Sequence, residues 1–160
     1  MTHRIATLAL QGDFAEHESA LRQCGVEVME IRQRADLQKT FDALVLPGGG
    51  RGTENLYESA LVRESIEAFA AAGKLVCAIC AAPSVPGRMG LLRGKKATCY
   101  PGFEDKLLGA EYVVAEAVTD GNFITGSGLG AAIPFALEII AALAGRETAD
   151  HVKETIQYRH

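Results

Sequence analysis

Short apolar runs rich in Val, Ile and Leu alternate along the chain with stretches of helical periodicity, which predicts βαβ units and a mostly parallel sheet covered on both faces. Strands are expected at Ile5–Leu10, Val26–Ile31, Ala43–Leu46 and Leu75–Ile79. Helices fit between them at Phe14–Cys24 and Leu56–Ala72, each followed by a glycine, Gly25 or Gly73, where a left-handed C-terminal cap is wanted. After Cys80 the pattern loosens. Ala97–Tyr100 and Tyr112–Ala115 read as short extended pieces, and Val118–Thr125 as a hairpin turning at Asp120-Gly121, so this part of the sheet is expected to be mixed. A long apolar helix is predicted over Ala131–Leu143, stopped by Gly145, with Arg146–His160 as a polar tail.

The class is therefore α/β. No repeat, linker or low-complexity segment divides the 160 residues, a length that suits one domain over residues 1–160 with a proper core. Composition narrows the function classes. The net charge of -4, with acids and bases interspersed, gives no basic stripe for a phosphate backbone, so nucleic acid is not an expected partner. No apolar stretch reaches the roughly 20 residues that span a bilayer, so no membrane association is expected. The opening Met-Thr-His-Arg lacks a secretory pattern, and the four cysteines form no framework, so the cytoplasm is the expected compartment.

The candidate chemistry centres on Lys74-Leu-Val-Cys-Ala-Ile-Cys-Ala-Ala-Pro, where an apolar run breaks at Cys80 into small residues. A buried strand that stops at a cysteine and turns sharply lifts the thiol out of the sheet edge. Small residues after the turn leave room for a substrate to reach it, the logic of a nucleophile elbow. Against this stands the habit of free cysteine to pack as a small hydrophobe, the role expected of Cys77. Cys77 and Cys80 form a Cys-x-x-Cys pair, but that redox motif normally opens a helix and here both residues fall at the end of a strand. Cys24 and Cys99 are isolated, and no cysteine spacing is matched by a histidine pair suited to zinc, so neither metal nor cofactor is called for.

In an open sheet ligands collect at the carboxyl ends of the strands, which gathers the loops after Leu10, Leu46 and Ile79 at one edge. The run Pro47-Gly48-Gly49-Gly50-Arg51-Gly52 allows backbone N–H groups to point into a cavity and lacks the Lys-Ser/Thr pair of a phosphate loop. Gly49 N–H and Ala81 N–H are the candidate oxyanion hole beside Cys80, unless the glycines merely make a tight turn. After Gln11-Gly12-Asp13, Asp13 and Glu16 are spaced as a capping box. His17 and Glu18 share a helical face with Phe14 and Leu21, so they either line a polar pocket or turn toward solvent. In a pocket with Cys80, His17 favours its thiolate, whereas Glu18 has to be protonated and donate to the sulfur.

Leu46-Pro-Gly-Gly, Glu54-Asn-Leu, Ala78-Ile-Cys-Ala-Ala-Pro, Gly94-Lys-Lys-Ala-Thr, Asp120-Gly with Ile124-Thr, and Phe135-Ala-Leu-Glu-Ile together resemble the ThiJ/PfpI superfamily, which includes the parkinsonism-associated deglycase. The resemblance implies a flavodoxin-like three-layer sandwich, usually a homodimer, with an oxidation-prone cysteine at the elbow, here Cys80. It also implies a glutamate on the first helix touching that sulfur, which points to Glu18. Gly48 and Tyr100 are expected in the pocket, with Tyr100 where the family has a histidine or aromatic residue. The N-terminal third, Ile5 to His17, looks more like the glutaminase subunit of pyridoxal phosphate synthase, which leaves the register of Glu16, His17 and Glu18 open by one position. A glutaminase would need Gly-x-Cys-x-Gly and a late His-x-Glu pair, whereas the chain has Ala78-Ile-Cys80-Ala-Ala and His151-x-x-Glu154. Ala81 replaces the histidine that follows the cysteine in peptidase-like members, which disfavours proteolysis.

Three functions follow from this reading. The first is a glyoxalase- or deglycase-type hydrolase acting on small reactive carbonyls through Cys80, with Glu18 or His17 moving the proton. The second is a non-enzymatic oxidative-stress sensor or chaperone using Cys80 oxidation. The third is a glutamine amidotransferase-like subunit.

Overall fold

The computed structural model describes residues 4–8, 18–19, 22, 27–31 and 41–159. Its strands are β1 (Arg4–Leu8), β2 (Glu27–Ile31), β3 (Ala43–Leu46), β4 (Leu75–Ile79), β5 (Lys96–Ala97), β6 (Glu111–Tyr112), β7 (Ala117–Asp120) and β8 (Phe123–Gly126). The described helices are α1 (Gly50–Glu58), α2 (Ala60–Ala71), α3 (Ser84–Arg88), α4 (Ala132–Ala144) and α5 (Arg146–Thr155). Six strands form one sheet in the order β2-β1-β3-β4-β8-β7, and β5 and β6 pair separately. All neighbours in the larger sheet run parallel except β7, which turns back on β8 through the predicted Asp120-Gly121 hairpin.

Strand alternation divides the core in two. Leu44, Leu46, Val76 and Ala78 face one way and pack with Leu56, Val62, Ile66 and Val85 from α1, α2 and α3. Ala43, Val45, Cys77, Ile79 and Ile124 face the other way, onto Phe135 and Ile139 of α4. Strands buried on both faces read as continuous apolar runs, which is why β3 and β4 were legible without any polar alternation. The result is the flavodoxin-like α/β sandwich that the family resemblance implies.

Four expectations change in detail. The helix expected over Leu56–Ala72 starts earlier and breaks at Ser59, whose extended backbone (φ -70°, ψ 115°) and hydroxyl, accepting from Val62 N–H, start α2 afresh. The strand expected at Ala97–Tyr100 pairs only through Ala97, because Thr98 N–H is diverted to Thr125 Oγ1 at 3.0 Å. The second expected piece, Tyr112–Ala115, pairs only over Glu111–Tyr112. The polar tail is instead α5, an amphipathic helix that lays Ala149 and Val152 on Leu137 and Ile140 of α4. Of the helix expected at Phe14–Cys24, the described residues Glu18, Ser19 and Arg22 are helical and the rest lie outside the described residues.

α3, the short helix that follows the Cys80 turn, is tied to α1 by charge. Glu54 accepts from Arg88 Nη1 at 2.7 Å and from Lys106 Nζ at 3.2 Å, and the Arg88 guanidinium lies 3.4 Å over the Tyr57 ring. Hydrogen bonds from Arg88 and then Lys106 hold the Glu54 carboxyl below its ordinary range. A depressed carboxylate adds stability above its unfolded-state pKa and loses it as pH falls through the folded-state value. Glu54→Gln is therefore expected to be less stable than the parent at pH 7, by less than about 1 kcal/mol because the pair is half exposed, and the difference is expected to be smaller at pH 3. Urea unfolding at the two pH values measures the difference.

Candidate active site

β4 ends at Ile79, and the next residue, Cys80, adopts φ +64°, a left-handed conformation that side chains other than glycine rarely take. Two hydrogen bonds clamp it there. Cys80 N–H donates to Gly126 O at 2.9 Å, and Tyr100 N–H donates to Cys80 O at 2.8 Å. Holding such a residue costs about 1–3 kcal/mol unless the surroundings over-determine it, and these clamps, with the buried turn Ala81–Pro83, do so.

Gly48 lies directly against the cysteine. A Cβ built on Gly48 falls 2.6 Å from Cys80 Cβ and 3.3 Å from its Sγ, so only a glycine lets the β3 loop come this close. The next residue, Gly49, has φ 95° and caps α1 without any side-chain hydrogen bond. Among the described residues, the turn's own hydrogen bonds come from Ala82, Ser84 and Val85 N–H, and none uses the N–H of Gly49 or Ala81. Both residues adjoin the Gly48–Cys80 contact.

The cysteines differ sharply in setting. Cys77 and Cys99 are fully buried and Cys80 is half-buried, all three as free thiols. Burial pushes the Cys77 thiol far up, and burial, with Glu104, Asp105 and Cys80 nearby, pushes Cys99 up to about 12. At neutral pH both are neutral and shielded, the inert role expected of Cys77. Cys24 lies outside the described residues.

Glu18 is buried, with Oε2 3.6 Å from Arg22 Nη2 and Oε1 enclosed without a hydrogen-bond partner among the described residues. Glu16, His17 and the Gln11–Asp13 loop lie outside the described residues. Tyr100 is half-exposed, and a Cβ added at Gly128 would meet its ring at 3.4 Å. His151 and Glu154, the late pair, are exposed on α5, which packs on α4. Sequence reasoning missed Gly126, whose carbonyl accepts from Cys80 N–H, and Thr125, whose hydroxyl accepts from Thr98 N–H two residues before Tyr100; a hairpin strand gives no signal of either task. Among the described residues no group of His, Cys, Asp and Glu is arranged to hold a metal ion, and no helix is long and apolar enough to cross a membrane.

A mostly parallel sheet covered on both faces, with a cysteine held left-handed at the end of a central strand against a glycine loop, defines an α/β protein of the cysteine-elbow class. Residues 17–142 match the DJ-1/PfpI family, and the chain belongs to it. It is 41% identical over 114 residues to Protein dj-1beta of Drosophila melanogaster, covering 70% of this chain and 61% of that protein. To the Parkinson disease protein 7 homolog of Danio rerio it is 37% identical, over 82% of this chain and 73% of the relative. An isonitrile hydratase of Pseudomonas putida is 38% identical over 74% of this chain and 52% of its own length. The chain thus spans about three fifths of the fly relative and half of the hydratase. The crystal structure of Drosophila DJ-1beta superposes with a TM-score of 0.90 at 30% identity, each chain covered in full. Oxidized Toxoplasma gondii DJ-1 superposes with 0.88 at 26% identity, again over both whole chains.

Proposed function

We propose that the protein is a glyoxalase- or deglycase-type enzyme that converts small reactive carbonyls through Cys80. The observation that carries this reading is the left-handed, half-buried Cys80 set against Gly48, in a chain where Cys77 and Cys99 are sealed in the core. With methylglyoxal, the Cys80 sulfur adds to the aldehyde carbon, and the thiol proton ends on the new hydroxyl of a hemithioacetal. Gly49 and Ala81 N–H groups steady the developing oxyanion. Glu18 or His17 removes the proton from the former aldehyde carbon and returns one to the neighbouring carbonyl carbon, while the hydroxyl proton passes to the ketone oxygen. The first carbon is thereby oxidised by two electrons and the second reduced by two, so no external oxidant enters. Water then cleaves the lactoyl thioester to lactate and free thiol. A relative that is an isonitrile hydratase is consistent with water being added to an electrophilic carbon at an elbow of this family. A homodimer in the cytoplasm is the expected setting.

Purified protein incubated with methylglyoxal is expected to release lactate at a rate that Cys80→Ala lowers to the uncatalysed level. Equal rates in the two proteins would overturn the assignment.

A second reading, a redox sensor, is favoured by the contrast among the thiols and by the oxidized state of the Toxoplasma relative. Under mild peroxide, mass spectrometry is expected to find oxygen on Cys80 before Cys77 or Cys99, because the latter two are buried and neutral. Equal oxidation of the three would remove it.

A further inference from the structure

Arg4 is poorly matched to its partners. The β1–β2 register sets Arg4 beside Glu27 and Ala6 beside Met29, so Arg4 and Met29 lie on one face of the sheet, one step apart across the ladder. Arg4 Nη2 donates to Met29 Sδ at 3.3 Å, and the guanidinium carbon stands 5.7 Å from the centre of the Phe41 ring. Nε is enclosed and makes no hydrogen bond among the described residues, although Glu27 Oε2 lies 3.3 Å away. A thioether sulfur is a weak acceptor for a guanidinium with its five donors. Met29 is half-buried against the core cluster that contains Phe41, on β2 at the edge of the described sheet.

We propose that Met29 is a modification site for peroxide, and that Arg4 holds the oxygen once it is on the sulfur, so that the fold tolerates this oxidation. The sulfur attacks one peroxide oxygen, the S–O bond forms as the O–O bond breaks, and hydroxide leaves with the electron pair. The proton on the transferred oxygen joins that hydroxide. Water and the sulfoxide result, with sulfur oxidised by two electrons and peroxide reduced by two. The sulfoxide oxygen is a far stronger acceptor than the thioether. With Nη2 already 3.3 Å from Sδ, turning the flexible methionine brings that oxygen to about 2.9 Å from the guanidinium without moving the main chain. A hydrogen bond from a charged donor then offsets what a polar group loses on leaving water.

Met89 provides the contrast. It too packs half-buried on the same cluster, but its sulfur takes no hydrogen bond among the described residues, so its sulfoxide would stand in an apolar contact. Cys80 is separate again. It lies past the C-terminal end of β4 and packs on the opposite core cluster, whereas Arg4 opens β1 at the other end of the parallel strands. The proposal therefore stands or falls without the carbonyl chemistry of Cys80.

Mild hydrogen peroxide followed by peptide mass spectrometry is expected to find sulfoxide at Met29, and methionine sulfoxide reductase is expected to remove it. Thermal unfolding reads the consequence, with peroxide-treated Met29→Leu subtracting oxidation at every other residue. The parent protein oxidised at Met29 is expected to keep its Tm within about 1 °C. In Arg4→Leu the same oxidation is expected to lower Tm by about 5 °C, the loss of one charged hydrogen bond in a domain of this size. Met29→Gln, which places an amide oxygen near the sulfoxide position, tests the same point with Arg4 intact and is expected to match Met29→Leu in Tm. Met29 that stays reduced while Met89 is converted overturns the proposal. So does a Tm loss in the oxidised parent equal to that in Arg4→Leu, or a fall of about 5 °C in Met29→Gln.

Discussion

Adding one methyl group at Gly48 is expected to lower turnover at Cys80 about a hundredfold and to destabilise the fold by about 1–3 kcal/mol. In Gly48→Ala the new carbon falls 2.6 Å from Cys80 Cβ and 3.1 Å from Ile79 O, far inside van der Waals contact, and none of these atoms is the end of a flexible chain. The strain can be relieved only by moving the β3 loop or the elbow. Moving the loop withdraws Gly49 N–H from the oxyanion position proposed for it. Moving the elbow breaks the clamps on Cys80 from Gly126 and Tyr100. Either shift is of the order of 1 Å, enough to remove near-attack geometry. Steady-state kinetics together with alkylation of Cys80 would measure it. Turnover within threefold of the parent would mean that the contact between these residues has no part in the chemistry.

The second large effect separates stability from catalysis. Gly87→Ala, in the buried helix α3, is expected to cost about 3 kcal/mol and to lower Tm by about 6–12 °C. Its Cβ would fall 2.6 Å from Lys106 O and 2.9 Å from Leu107 Cα, so the clash is with backbone that has no rotamer to change. Neither contacted residue touches Cys80 in the clamp that sets its conformation, so the folded fraction is expected to keep its Cys80 alkylation rate. Gly73→Ala is the contrasting control. No atom lies within 4 Å of its added Cβ, and only the positive φ of +67° is strained, so a loss near 1 kcal/mol is expected. Calorimetry of the three variants orders them.

Reading the sequence worked where one segment settles its own environment. β3 and β4 came out with their full extents because Ala43–Leu46 and Leu75–Ile79 are apolar on both faces, and only a strand inside a covered sheet uses such a run. The hairpin at Asp120-Gly121 followed from turn chemistry alone, with Gly121 at φ +61°. Reading failed where the partner lay far along the chain. Nothing between Lys96 and Tyr100 says that Thr98 leaves its strand for Thr125, a hydrogen bond spanning 27 positions. The tail was misread for a related reason. Arg146–Thr155 is polar on average, and its apolar stripe of Ala149 and Val152 becomes meaningful only once Leu137 and Ile140 of α4 lie beneath it.

Cys80 as the end of a buried strand followed by small residues was fixed by the chain itself, since hydrophobic run length and side-chain size are local properties. What only the folded molecule decided was which thiol differs from the others and what stands around it. Burial of Cys99, the fit of Gly48 against the elbow, and the hydrogen bond from Tyr100 N–H to Cys80 O each join residues at least 20 positions apart or depend on the whole core. Such contacts arise when the parallel sheet brings distant loops to one edge, and no short-range pattern encodes them.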